Sequence, residues 1–133
     1  MARFHIAVRV REVRQGIGYR LFQWRKPNNR HLVDVRPIDA MPPTQRVADI
    51  LVLTPFELVA TKVIAYCRRQ GTPKSFTDRG DIALLLLKFP ELKTENGAVR
   101  DRLIAHGSDE SIVSVWKTLV AEEIRPEADD EGY

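Results

Sequence analysis

Over the first fifty residues, apolar and polar side chains fall in short runs that lack helical spacing. Residues 4–10, Phe4-His5-Ile6-Ala7-Val8-Arg9-Val10, alternate only in part, but their β-branched content favours a strand. A second strand is expected over 19–24, Tyr19-Arg20-Leu21-Phe22-Gln23-Trp24, with Gly16-Ile17-Gly18 as the turn before it. Lys26-Pro27-Asn28-Asn29 reads as a loop between antiparallel strands, since proline fixes its own backbone angle and asparagine tolerates left-handed conformations. The third strand covers 31–38, with Leu32, Asp34 and Arg36 on one face and Val33 and Val35 on the other, so Asp34 stands mid-strand among apolar neighbours. Met41-Pro42-Pro43 ends it, and 47–53 add a short edge strand.

From Thr54 the spacing turns helical. Threonine can cap a helix, Pro55 suits its first turn, and Glu57 completes a capping box, which predicts a helix to Gln70 with Gly71 as its stop. Thr72-Pro73-Lys74-Ser75 reads as a linker. A second helix starts near Asp78 and carries Ile82, Ala83, Leu84, Leu85, Leu86 and Leu87, so nearly all its faces are expected to be covered until Phe89-Pro90 ends it. Asn96-Gly97 introduces a third helix with Val99, Leu103 and Ile104 on one stripe, closed by His106-Gly107. Ser108-Asp109-Glu110 caps a fourth, whose Ile112, Val115, Trp116, Leu119 and Val120 recur at helical spacing. The pattern predicts an α+β fold: a small, mainly antiparallel sheet of three or four strands, then a bundle of about four helices.

Composition fits this plan. A chain of 133 residues, 44% hydrophobic and 29% charged, suits one domain with a single core. We place that domain at 1–126, with the sheet in 1–53, the helices in 54–126 and an acidic tail at 127–133. No run approaches the roughly 20 apolar residues that cross a bilayer, and the start lacks the apolar block of a signal peptide. The chain therefore reads as soluble and unexported, with the cytoplasm as its compartment and no membrane partner. Cys67 has no second cysteine to pair with and falls inside the first helix, where a buried, inert thiol is expected. The net charge of +3 hides a segregation: residues 1–30 hold eight Lys or Arg against the single acid Glu12. That basic segment has Tyr19, Phe22 and Trp24 interleaved, and two readings stand. Arg20, Arg25 and Lys26 could meet nucleic-acid phosphates while aromatics stack on bases; or the strands turn aromatics inward and arginines outward.

Lys62 on the first helix, with Asp78 and Asp81 spaced i, i+3 on the second, form the main chemical constellation. Spacing alone allows acids near a helix start to complement its dipole, with Lys62 simply solvated. A sharper reading comes from resemblance. Residues 54–65, Thr-Pro-Phe-Glu-Leu-Val-Ala-Thr-Lys-Val-Ile-Ala, followed by Lys74 and Thr77-Asp78-Arg79-Gly80-Asp81-Ile82, resemble the carboxy-terminal part of nucleotidyltransferase-superfamily proteins of the abortive-infection toxin type. In that family a lysine-bearing helix precedes an Asp-x-x-Asp helix. The resemblance implies that Lys62, Asp78, Asp81 and Lys74 belong to a nucleotide-handling site, with Asp34 in Leu32-Val33-Asp34-Val35 on the family's third-carboxylate strand. It spans about residues 19–92. Asp34 and Lys62 are then the catalytic candidates, and Asp34 the candidate metal ligand.

The departure from the family matters as much. Such an enzyme needs a Gly-Ser turn to hold phosphates and an Asp-x-Asp strand whose carboxylates bind metals, and neither precedes Asp34. If Arg3-Phe4-His5-Ile6 occupies that strand's place, Arg3 and His5 have replaced the acids. One aspartate holds Mg²⁺ poorly. His5, His31 and His106 fall on separate elements without ligand spacing and read as surface or capping side chains, so no zinc is expected. The leading expectation is a degenerate or truncated nucleotidyltransferase-like domain that acts as a binding or partner module and is not catalytic alone, as a homo-oligomer or with a partner protein. One alternative is an active nucleotidyltransferase, completed by a missing amino-terminal segment or partner chain, which would use Mg²⁺ and a nucleoside triphosphate. The other is a nucleic-acid-binding protein using the basic strands.

Overall fold

The computed structural model describes residues 5–127, so Arg3, Phe4 and most of the expected acidic tail lie outside the described residues. Five antiparallel strands in two small sheets and four α-helices make an α+β fold. The chain divides into two compact units, Met1–Met41 and Pro42–Tyr133.

The first unit holds an antiparallel meander of β1 (Ile6–Val13), β2 (Gly16–Gln23) and β3 (Arg30–Val35) in the order β1-β2-β3. Val13 pairs with Gly16, so Arg14 and Gln15 alone form the turn. The turn expected over Gly16-Ile17-Gly18 thus moves two residues upstream. Gly16 supplies the positive φ of 136° that the strand entry needs, and a Cβ there would also meet Pro37 Cγ at 3.3 Å. Lys26-Pro27-Asn28-Asn29 does connect antiparallel strands. β3 stops at Val35 instead of residue 38, and its register shifts opposite Leu21 and Phe22. Leu32 is the extra residue of that bulge and has no partner.

Pairing sorts the side chains into two faces. Ile6, Val8, Val10, Ile17, Tyr19, Leu21, Val33 and Val35 share one; Arg9, Arg11, Arg20, Phe22 and Asp34 share the other. On the apolar face every one of these side chains but Leu21 is between 43% and 61% exposed. In the described part of this unit only Gly18 is buried.

In the second unit, the expected single edge strand is instead a hairpin, β4 (Thr44–Val47) with β5 (Ile50–Leu53), in a sheet of its own. Its two turn residues, Ala48 and Asp49, have φ of 49° and 63°, the mirror-image turn whose twist matches that of paired strands. Ala48-Asp49 lacks the Asn-Gly signature, which is why the pattern conceals it.

Helix α1 (Pro55–Arg68) starts as expected, with Thr54 Oγ1 accepting the Glu57 N–H at 3.4 Å. The capping box is only half made, because the Thr54 N–H donates to the Pro43 carbonyl and the Glu57 side chain turns inward. Helix α2 (Pro73–Lys88) begins five residues before Asp78, with Pro73 in its first turn, so the expected linker is helix. Ile82 and Leu86 are buried, but Leu84 is 67% exposed, so this helix presents one face to the core and not all of them. A short 3-10 turn at Pro90–Leu92 leads to α3 (Ala98–Ala105) and α4 (Glu110–Ala121). On α3, Val99 and Leu103 face inward while Ile104 is exposed. Asp109 caps α4 by accepting the Ser111 and Ile112 N–H groups. Val59, Ala60, Val63, Ile82, Leu86, Val99, Leu103, Trp116 and Leu119 make one core around fully buried Trp116. Among the described residues no helix is long and apolar enough to cross a membrane.

Candidate functional site

Helix α1 carries Lys62 two turns before Arg69, the residue at its carboxy-terminal cap, so both project from neighbouring parts of one face. Because α2 starts at Pro73, Asp78 lies in its second turn and Asp81 nearly one turn further on, and no acid stands in its first turn. The helix-dipole explanation of the two aspartates therefore fails. The packing of α1 on α2 brings the expected three residues together. Lys62 Nζ is 2.8 Å from Asp81 Oδ2 and 3.9 Å from Asp78 Oδ1. Asp78, only 1% exposed, is also held by Arg69, whose Nη2 donates to Oδ1 at 3.2 Å. Arg69 Nε lies 3.1 Å from Asp78 Oδ2 but off its N–H direction, so it contributes charge without a hydrogen bond. A buried carboxylate needs such compensation, and two cations here offset two aspartates.

Beside this cluster runs a groove of about 470 Å³. Leu58, Leu84, Leu85 and Phe89 give it apolar walls, and Lys62, Asp81 and Lys88 form its polar rim. Such a groove suits a flat, mostly apolar group with a polar edge. Lys62 is committed to Asp81, so a phosphate could claim it only by displacing that carboxylate or bringing its own cation. Lys74, also expected at this site, stands exposed in the first turn of α2 and outside the ion cluster.

Arg69 escaped sequence reasoning. Its only signal was its spacing of seven from Lys62, and a second helix started at Asp78 hides the turn that brings α2 back beside it.

Asp34 sits in the other unit. Arg20 grips it from the neighbouring strand, Nε donating to Oδ1 at 2.9 Å and Nη2 to Oδ2 at 3.3 Å, while His31 Nε2 lies 3.1 Å from Oδ1. The Arg20 hydrogen bonds, aided by His31, hold the Asp34 carboxyl at about 2, and Asp34 in turn raises the Arg20 guanidinium. The catalytic and metal-ligand candidate of the sheet is thus a salt-bridged aspartate, and one of the arginines assigned to nucleic acid is its partner. Arg25 and Lys26 are exposed in the loop after β2.

The strongest buried charge is one that sequence reasoning assigned to a cap. Glu57 is fully buried and accepts from Arg102 Nε at 2.6 Å, with His106 Nε2 also at 2.6 Å from its other oxygen. Burial pushes this carboxyl up, but the hydrogen bonds and charges of Arg102 and His106 outweigh it and leave it below the usual glutamate range. His106, expected as a surface or capping group, therefore ties α3 to α1. Cys67 is half-buried, and burial followed by the nearby charge of Asp109 raises its thiol. That opposes nucleophilic use. Among the described residues no three His, Cys, Asp or Glu side chains form a group able to hold a metal ion. No family model, curated protein or solved structure matches the chain.

Proposed function

We propose that the chain is a nucleotidyltransferase-like module, derived from the carboxy-terminal half of that architecture, which binds and acts with a partner and does not transfer nucleotides alone. The observation that carries this reading is the convergence of Lys62, Asp78 and Asp81, from two helices, at the rim of an open groove. The same geometry argues against independent catalysis, because both carboxylates are already neutralised by Lys62 and Arg69. Two-metal phosphoryl transfer uses carboxylates to offset metal charge, and no Gly-Ser turn or Asp-x-Asp strand that would supply the rest stands ahead of Asp34.

The partner in this reading is a polypeptide that contributes those strands. The apolar face of the β1–β3 sheet, seven of whose side chains are each more than two-fifths exposed, supports it, since sheets with one apolar face are stable when another layer covers it. Incubation of the chain with labelled nucleoside triphosphates, Mg²⁺ and transfer RNA tests the reading. No labelled RNA above a protein-free blank is expected. Sustained transfer by the chain alone would overturn it.

A further inference from the structure

The polar face of the β1–β3 sheet concentrates guanidinium groups beyond what internal pairing neutralises. Arg9 and Arg11 of β1 share it with Arg20 of β2, and Arg36 shares it by alternation, two residues past Asp34. Arg9 stands directly across from Arg20, a like-charge pairing that destabilises a sheet. Asp34, across from Arg20 on the other side, offsets only one of the two. Arg9, Arg11 and Arg36 make no ion pair among the described residues.

Gly18 lies opposite Arg11 and adds no side chain, which leaves a hollow of about 110 Å³ lined by Arg11, Arg20, Asp34 and Arg36. The hollow is of phosphate size, and a Cβ on Gly18 would press on the Val35 carbonyl at 3.2 Å and on Val13 Cγ1 at 3.3 Å. Along the same strand the face turns aromatic. Phe22 follows Arg20 in alternation, and Trp24 continues the ladder, its backbone N–H donating to the His5 carbonyl at 2.8 Å. Trp24 is 69% exposed, a large cost for an indole that has no other role.

We propose that this face binds single-stranded nucleic acid, with a backbone phosphate in the hollow between Arg11 and Arg36 and a base stacked on Trp24. Arginines that track phosphates and an aromatic that takes a base are the two components of sequence-tolerant single-strand binding. The seven residues from Gly18 to Trp24 extend about 20 Å, which spans a few nucleotides. A duplex keeps its bases stacked on each other and leaves Trp24 without a partner. The assignment replaces Arg25 and Lys26, in the loop, with Arg11 and Arg36, and it stands on the Met1–Met41 unit alone, independent of any nucleotidyltransferase descent.

Fluorescence anisotropy with a labelled single-stranded oligoribonucleotide, the matching oligodeoxyribonucleotide and the duplex tests it across a salt series. Single strands of either sugar are expected to bind, and the duplex more weakly. Arg11→Ala with Arg36→Ala should weaken binding about tenfold or more and flatten the slope of log affinity against log salt by about 0.7, the loss of one single-strand phosphate contact. Lys117→Ala with Arg125→Ala removes the same charge elsewhere and should change little. Intrinsic emission of the unmodified chain gives a readout that needs no variant: Trp116 is fully buried, so quenching on binding reports Trp24, and Trp24→Leu should abolish it. Unchanged affinity in the Arg11/Arg36 variant, an equal loss in the Lys117/Arg125 control, quenching that survives Trp24→Leu, or a duplex that binds as tightly as the single strand would each overturn the proposal.

Discussion

The two units solve the same problem, hiding apolar surface, to very different extents. The helical unit closes a core in which Val59, Val63, Ile82, Leu103 and Trp116 are at most 1% exposed. The three-stranded sheet has a mostly apolar face, yet Val8 and Val10 on it remain 54% and 61% exposed. An amphipathic helix finds its cover in the next helix of the chain, whereas a three-stranded meander can cover neither of its own faces. What separates the units is therefore the supply of a second layer and not hydrophobicity.

Paired substitutions give the largest test of that contrast. Trp116→Ala should cost the helical unit about 3–5 kcal/mol, read from urea unfolding followed by helical circular dichroism. Val8→Ala should shift stability by less than about 1 kcal/mol, because its side chain has little contact to lose. Equal penalties would mean that the sheet has a core after all. Next in size is Glu57→Ala, expected to cost about 3 kcal/mol by stranding Arg102 and His106. The same group sets an acid limit. Its folded-state pKa is depressed, so its contribution is complete above the unfolded glutamate value of about 4.3 and fades as pH falls through the lower folded value. Urea midpoints measured in steps below about pH 5 should fall more steeply for the parent chain than for Glu57→Gln.

Within the candidate site, burial predicts an asymmetry. Asp78→Ala removes the buried partner of Arg69 and should destabilise by about 2 kcal/mol. Asp81→Ala, whose carboxylate is 38% exposed, should cost less than about 1 kcal/mol. If the order reverses in thermal melts, the ion cluster is held from the Asp81 side. The smallest effect is a gain. Ala48 occupies a left-handed position, so Ala48→Gly should stabilise the β4–β5 hairpin by about 0.5–1 kcal/mol, seen as a small rise in Tm.

The sequence made the helices legible because their boundaries are written in local chemistry: Thr54 and Asp109 cap where expected, and Trp116 packs where its spacing placed it. Pro73 was the exception. Read as a loop residue, it is the first residue of α2, and that difference moves Asp78 from a helix start to a buried second turn. Spacing left Lys62 solvated and gave no sign of its contact with Asp81, and Arg69 and the Glu57–Arg102–His106 knot likewise depend on how helices far apart in sequence lie together. No local pattern encodes that. Strand turns were least legible, since Arg14-Gln15 and Ala48-Asp49 carry none of the glycine or asparagine that usually marks two-residue loops.

Native-state hydrogen exchange on the full chain measures the contrast between the units most directly. Amides of α1 and of the Ile82–Leu86 stretch should exchange only through global unfolding, while amides across β1, β2 and β3 should open at far smaller free energies, as expected for a sheet whose own unit supplies no second layer. Equal protection of strands and helices in the chain by itself would contradict the account, because the sheet would then be complete without a partner.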